Sequence, residues 1–163
     1  MPDAISNTLP LVYLYRIHAL DWLGSLFGEV WIPKAVAAEL EQGRQRGYDT
    51  PDPAGYPWLR HMEPRSMPSE WLALDLGPGE LAAMALALEN PDRIILLDDA
   101  LARRVAQAAG LTTWGTLRIL LEAKTQGLTE SIKPLLDRLV DSGMWLSDDI
   151  RRRILDLARE NDL

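Results

Sequence analysis

The sequence predicts an α/β fold in which a parallel sheet is covered by helices on both faces. Three features carry that expectation. Strand-like and helix-like segments alternate through most of the 163 residues, the pattern of βα units building a parallel sheet. Arg93-Ile94-Ile95-Leu96-Leu97 is a nearly continuous apolar run, β-branched at two positions and closed by Asp98-Asp99, as suits a strand buried on both faces. After Gly127 the strands stop and only helical periodicity remains, over about Glu130 to Asp141 and Ser147 to Glu160.

Each element rests on a local signal. Ala4-Ile5-Ser6 is a short apolar strand ending at Asn7-Thr8. Pro10 then opens a helix that Thr8 would cap, with Leu11, Leu14 and Tyr15 on its i, i+3, i+4 face. A second short helix is expected from Ala19 to about Phe27, and Gly28-Glu29-Val30-Trp31-Ile32 reads as a strand. Pro33 starts the next helix, which runs through Val36, Glu39 and Leu40 until Gly43 and Gly47 end it. Tyr48 to Pro68 carries Pro51, Pro53, Pro57, Pro64 and Pro68 and reads as a surface excursion with one extended piece, Trp58 to Met62. Leu76-Gly77-Pro78-Gly79 is a turn before an Ala- and Leu-rich helix from Glu80 to Glu89. Beyond the central strand, Ala100 to Ala109 is helical and Gly110 stops it. Leu111-Thr112-Thr113-Trp114 is the last strand, and Gly115-Thr116 begins a helix reaching Gln126.

The length favours one domain over residues 1–163, with an alternating core at about 1–127 and a helical extension at about 128–163. A chain of this size buries roughly two-thirds of its unfolded surface, so neither a disulfide nor a metal staple is needed. Hydrophobic residues at 47% and charged residues at 25% are globular values and argue against disorder. The formal charge is −7, from 17 Lys and Arg against 24 Asp and Glu. That excludes binding nucleic acid through net positive charge, but not through local Arg patches or bound cations. Cysteine is absent, which excludes thiol catalysis, Cys-zinc sites and disulfides and fits a reducing cytoplasm. Met1-Pro2-Asp3 opens no signal-peptide pattern, and no apolar run approaches the ~20 residues of a membrane span. A soluble cytoplasmic protein with no membrane contact is therefore expected.

In open α/β sheets, ligands bind in the crevice beyond the carboxyl ends of the strands. Asn7 follows the first strand there, and Asp98 and Asp99 follow the strongest one. Glu80 lies in the first turn of the helix feeding that strand, and Glu39 borders an apolar helix face. Taken singly, each has a structural duty. Asp99 suits an N-cap, Glu80 complements a helix dipole, Glu39 is a solvated helix residue and Asn7 serves a turn. Their joint placement at one sheet edge is what points to a site. Carboxylate and amide oxygens without His or Cys suit hard cations such as Mg²⁺ or Mn²⁺. Converging like charges repel unless a cation or protons occupy the cluster.

At these residues the chain resembles PIN-domain proteins, specifically the PIN-like subgroup related to VapC-type toxins. Ile5-Ser6-Asn7-Thr8-Leu9-Pro10-Leu11 resembles the opening strand and turn, and Ile32 to Leu40 the second acidic motif. Gly77-Pro78-Gly79-Glu80 with Ala85-Leu86-Ala87 resembles the third, Leu96 to Arg104 the fourth, and Gly115-Thr116-Leu117 its sequel. The resemblance implies a three-layer α/β/α sandwich around a parallel sheet, here with extra C-terminal helices. It implies metal-dependent ribonuclease chemistry, with Glu39, Glu80, Asp98 and Asp99 gathering Mg²⁺ or Mn²⁺ and Asn7 orienting a ligand or water. Asn7 stands where PIN nucleases generally carry Asp, so one ligand charge is missing. The implied substrate is RNA, and the implied partners are a small antitoxin and a second copy of the chain. The other expectation is a catalytically weakened PIN-like module that binds RNA or protein without cleaving. A phosphoacceptor receiver domain ranks behind both, because its acidic pair follows the first strand, where Asn7-Thr8 stands.

The remaining polar features read as structural. Thr116 at a helix start serves as an N-cap ahead of any contact with a water of the cation. Arg103 with Arg104, Arg60 with His61 and Arg65, and Arg44 with Arg46 are read as solvated faces before phosphate contacts. Arg151-Arg152-Arg153 lies outside an apolar stripe of Ile150, Ile154, Leu157 and Ala158. His18 and His61 have no partner spacing for a ligand or general base. Trp22, Trp31 and Trp114 are expected in the core, and Trp58, Trp71 and Trp145 on a partner or self-association surface.

Overall fold

Five short strands pair in parallel throughout, in the order β3-β2-β1-β4-β5, in the computed structural model, which describes residues 1–161. They are β1 (Ala4–Ser6), β2 (Val30–Ile32), β3 (Leu59–His61), β4 (Ile94–Leu96) and β5 (Thr113–Trp114). The helices are α1 (Thr8–Arg16), α2 (Trp22–Leu26), α3 (Lys34–Gln45), α4 (Pro78–Glu89), α5 (Ala100–Ala108), α6 (Thr116–Thr125), α7 (Lys133–Asp141) and α8 (Asp148–Leu157). A receiver-type sheet runs 2-1-3-4-5, so the observed order removes that reading.

The strands alternate between two cores, as a pleat of period two requires. Ala4, Val30, Ile32 and Leu96 face a cluster built with Leu11 and Leu14 of α1, Leu23 and Leu26 of α2, Ile119 and Leu120 of α6, and Leu136 and Leu139 of α7. Ile5, Ile95 and Leu97 face the other way, onto Met84 and Leu86 of α4 and Ala102 and Ala106 of α5. The result is a three-layer α/β/α sandwich. The C-terminal helices belong to the first layer, since Leu155 and Ala158 join the same cluster as α1 and α6.

Local signals place most boundaries. Asp99 caps α5 by accepting from the Ala102 N–H at 2.8 Å. Gly110 and Gly127 end α5 and α6 with φ of 85° and 79°, the left-handed conformation in which a Cβ is costly. Four expectations are corrected. Helix α1 starts at Thr8 with Asn7 as N-cap residue, because the Thr8 hydroxyl is spent on another partner. Gly115, not Thr116, is the N-cap residue of α6. Helix α4 begins at Pro78, not Glu80, as Pro is pre-set for a first turn. Trp71 is buried in the second core by a short 3₁₀ turn, Ser69–Ala73, that carries no periodic signal. Trp145, by contrast, is 85% exposed. Trp22, Trp31 and Trp114 are half-buried and pack against the cores from their margins.

Two charged residues lock the far side of the molecule. Arg93 donates to the carbonyls of Ala4 and Glu29 and lies over the Trp31 ring at 3.3 Å, joining the amino ends of β1, β2 and β4. Glu160, just after α8, accepts from the Ser131 hydroxyl at 2.6 Å, the N–H groups of Ile132 and Lys133 at 2.9 and 3.0 Å, and the Lys124 ammonium at 2.9 Å. Burial works to raise its pKa, but these donors outweigh it and hold the carboxyl at about 2. A depressed carboxyl stabilises the fold above its ordinary value of 4.5 and loses that contribution as pH falls toward about 2. Glu160→Gln is therefore expected to cost about 2 kcal/mol at neutral pH. Thermal unfolding between those pH values should fall less steeply in the variant than in the wild type.

Candidate active site

The chain runs outward from β1 through β2 to β3, then returns to lay β4 against the other side of β1. The crevice beyond the carboxyl ends of β1 and β4 is thus the switch point, where α/β sheets bind ligands. Asn7 leaves β1 at this point and donates its N–H to the Leu96 carbonyl of β4 at 3.1 Å. Asp98 and Asp99 leave β4 beside it. Helix α4 presents Glu80 and helix α3 presents Glu39 to the same edge.

Asn7 is 2% exposed, and its side-chain oxygen is buried without a hydrogen-bond partner. Asn at an N-cap normally bonds the first turn, yet this side chain makes no cap bond. An unpaired buried acceptor costs about 1–3 kcal/mol, a cost that a cation meeting this oxygen would offset.

Glu39 is fastened at both oxygens. The Thr8 hydroxyl donates to one at 2.6 Å and the Gly79 N–H to the other at 3.1 Å. A Cβ at Gly79 would collide with the Glu39 carboxylate as it now lies, so the glycine gives this approach its room. Glu80 accepts from the Gly77 N–H at 3.1 Å. Its pKa is raised, first by burial and then by the charges of Asp99 and Glu39, against the lowering bond from Gly77. Those three acids therefore share one electrostatic neighbourhood.

Asp98 forms the second half of the site. Thr116, fully buried, donates its N–H to Asp98 Oδ1 at 2.8 Å and its hydroxyl to Oδ2 at 2.6 Å. Burial pushes the Asp98 pKa up, opposed by the two Thr116 bonds and by the Arg103 charge. Asp98 is also the acid that raises the half-buried Tyr13 phenol, after burial.

All five sequence-derived residues, Asn7, Glu39, Glu80, Asp98 and Asp99, thus lie along one edge. The coupling gathers Glu39, Glu80 and Asp99 together and places Asp98 with Thr116 and Arg103. Among the described residues no three His, Asp or Glu side chains converge on a point where they could share one ion. The donor set nevertheless fits a hard divalent cation in kind, because a buried amide oxygen lacks a partner and the charges of Asp99 and Glu39 bear on the Glu80 carboxyl. Thr8, Thr116, Gly79 and Gly115 support the acids but carry no sequence signal of that duty. Their contacts span up to 40 residues.

The three-layer sandwich agrees with what comparison shows. A family model described as a PIN domain matches residues 3–160. Neither a search of curated proteins nor one of solved structures returned a match. PIN domains are generally nucleases and typically use divalent metals. With the match running across nearly its whole length, the chain belongs to the PIN-domain family.

Proposed function

We propose that this protein is a metal-dependent endoribonuclease acting on RNA phosphodiesters and the toxin of a toxin–antitoxin pair. The observation that carries the nuclease reading is the unpaired, buried Asn7 oxygen at the switch point, in line with carboxylates that repel one another. Glu39, Glu80, Asp98 and Asp99 would hold Mg²⁺ or Mn²⁺ with Asn7 completing the donors. The cation, when bound, polarises a phosphoryl oxygen and makes water a stronger nucleophile near neutral pH. The chain's own groups do the rest. Thr116 fixes the Asp98 carboxylate from two directions, and Thr8 with Gly79 fixes Glu39. The proposed location is the cytoplasm, consistent with the absence of cysteine. A small antitoxin and a homodimer are the proposed partners, on the strength of the family resemblance. Exposed Trp145 and Leu157 are apolar surface such a partner would cover.

A second reading, a module that binds RNA or protein without cleaving, is favoured by the neutral side chain at Asn7 and by the lack of three converging acids among the described residues. One experiment separates the two. Purified protein should cleave single-stranded RNA in Mn²⁺ and stop on addition of chelator, and calorimetry should show Mn²⁺ binding. RNA binding with no cleavage in either metal would select the second reading.

A further inference from the structure

Five arginines are half-buried: Arg16, Arg44, Arg93, Arg103 and Arg151. Four of them are tied down. Arg16 donates to the carbonyls of Asp49 and Ser142, Arg44 to Pro51 and Glu41, Arg93 to Ala4 and Glu29, and Arg151 to Asp137. The Arg103 guanidinium alone has no hydrogen-bond or ion-pair partner among the described residues, although it lies at the acidic edge of the sheet. A Cβ on Gly115 would sit 2.8 Å from Arg103 Nη1 and 3.1 Å from Asp98 Oδ1. Both charged groups therefore crowd one point beside Gly115, yet they close no ion pair. Asp98 instead spends its oxygens on Thr116.

We propose that Arg103 binds a phosphodiester of the substrate RNA, its guanidinium left unpaired at the Asp98 edge to receive phosphate oxygens. This rests on the reading that the edge takes RNA, and it names a residue which sequence reasoning assigned to a solvated face. The chemistry favours it. Arginine stays charged at every working pH and offers a planar fork of donors that matches phosphate bidentately. A chain of net charge −7, with Glu39, Glu80 and Asp99 along the same edge, repels a polyanion unless a fixed cation meets it. Asn7 Oδ1 is the one buried side-chain polar atom without a partner among the described residues, so the Arg103 donors are open to solvent and an incoming phosphate meets them without displacing a protein partner. Arg104, the next residue, is exposed and provides the control.

The alternative is a purely structural counter-charge for Asp98, and the two roles predict different losses. The test is fluorescence anisotropy of fluorescein-labelled single-stranded RNA in Mn²⁺, with Asp98→Asn as the parent so that the RNA stays intact. Adding Arg103→Ala should weaken binding about tenfold or more and lower the salt slope by about one. Adding Arg104→Ala should leave both near the parent's values. Arg103→Lys keeps the charge without the fork and should fall between. It carries the test should the alanine variant unfold. Thermal midpoints of the Arg103 variants should stay close to the parent's, because no hydrogen bond or ion pair is removed. Equal RNA affinity in the parent and the Arg103→Ala variant would overturn the proposal while leaving the nuclease reading intact. So would a loss no larger than that of Arg104→Ala. A parent and a wild type that neither bind nor cleave RNA would overturn both.

Discussion

In Mn²⁺, Asp98→Asn is expected to cleave RNA at least about 100-fold more slowly than the wild type, because ligand loss should exceed the 10–100-fold typical of supporting residues. The substitution is a clean test of charge. The Asn oxygen can still accept the Thr116 N–H, and the Thr116 hydroxyl can rotate to accept from the new amide. Burial raises the Asp98 pKa, so the folded protein disfavours this carboxylate in its charged form. A neutral amide there should leave the variant at least as stable as the wild type at neutral pH, the sign expected when function is held at a cost in stability. Glu39→Gln should follow the same pattern. The Gln oxygen can accept the Gly79 N–H while the Thr8 hydroxyl rotates to accept from the amide. That variant should lose activity while its stability stays within about 1 kcal/mol of the wild type. Denaturant unfolding alongside the cleavage assay checks both substitutions. Wild-type cleavage by Asp98→Asn would remove that carboxylate from the chemistry.

What the sequence revealed and concealed follows from the range of each interaction. Ile94 to Leu96 declared itself a buried strand because both faces are covered, and covered strands need no polar alternation. Asp98 and Asp99 were readable as edge residues because they follow that strand directly, and the Asp99 cap is a contact across three residues. Thr8 and Thr116 looked like caps for the same local reason. Their hydroxyls in fact reach Glu39 and Asp98, 31 and 18 residues away, and nothing local records those partners. Trp71 sat in a proline-rich stretch without periodicity, so its place in the second core depended on the path of the whole loop. Arg103 read as part of a charge run. What changes its meaning is the missing Cβ of Gly115, brought alongside only when β4 and β5 pair.

Asn7→Asp is the change expected to move metal binding most. In the wild type the Asn7 oxygen is buried and unpaired, so a cation meeting it gains an acceptor but no charge. An Asp at the same place keeps an oxygen in position and adds a negative charge, with 2% of the residue open to water. Without metal that charge has no donor to meet, and the buried carboxyl must either stay unpaired or take up a proton. The metal-free variant should therefore be less stable than the wild type by about 2 kcal/mol or more. Mn²⁺ reverses the sign. A ligand held only by the folded state adds about 2.7 kcal/mol at a hundred times its Kd, and the variant's tighter site reaches that level at lower Mn²⁺. The thermal midpoint of Asn7→Asp should thus start below the wild type and climb past it as Mn²⁺ is added, with cleavage rising in parallel. If the midpoint starts low and Mn²⁺ fails to lift it, the Asn7 oxygen does not face a cation. If the midpoint climbs while cleavage stays flat, the missing charge at Asn7 is not what limits turnover.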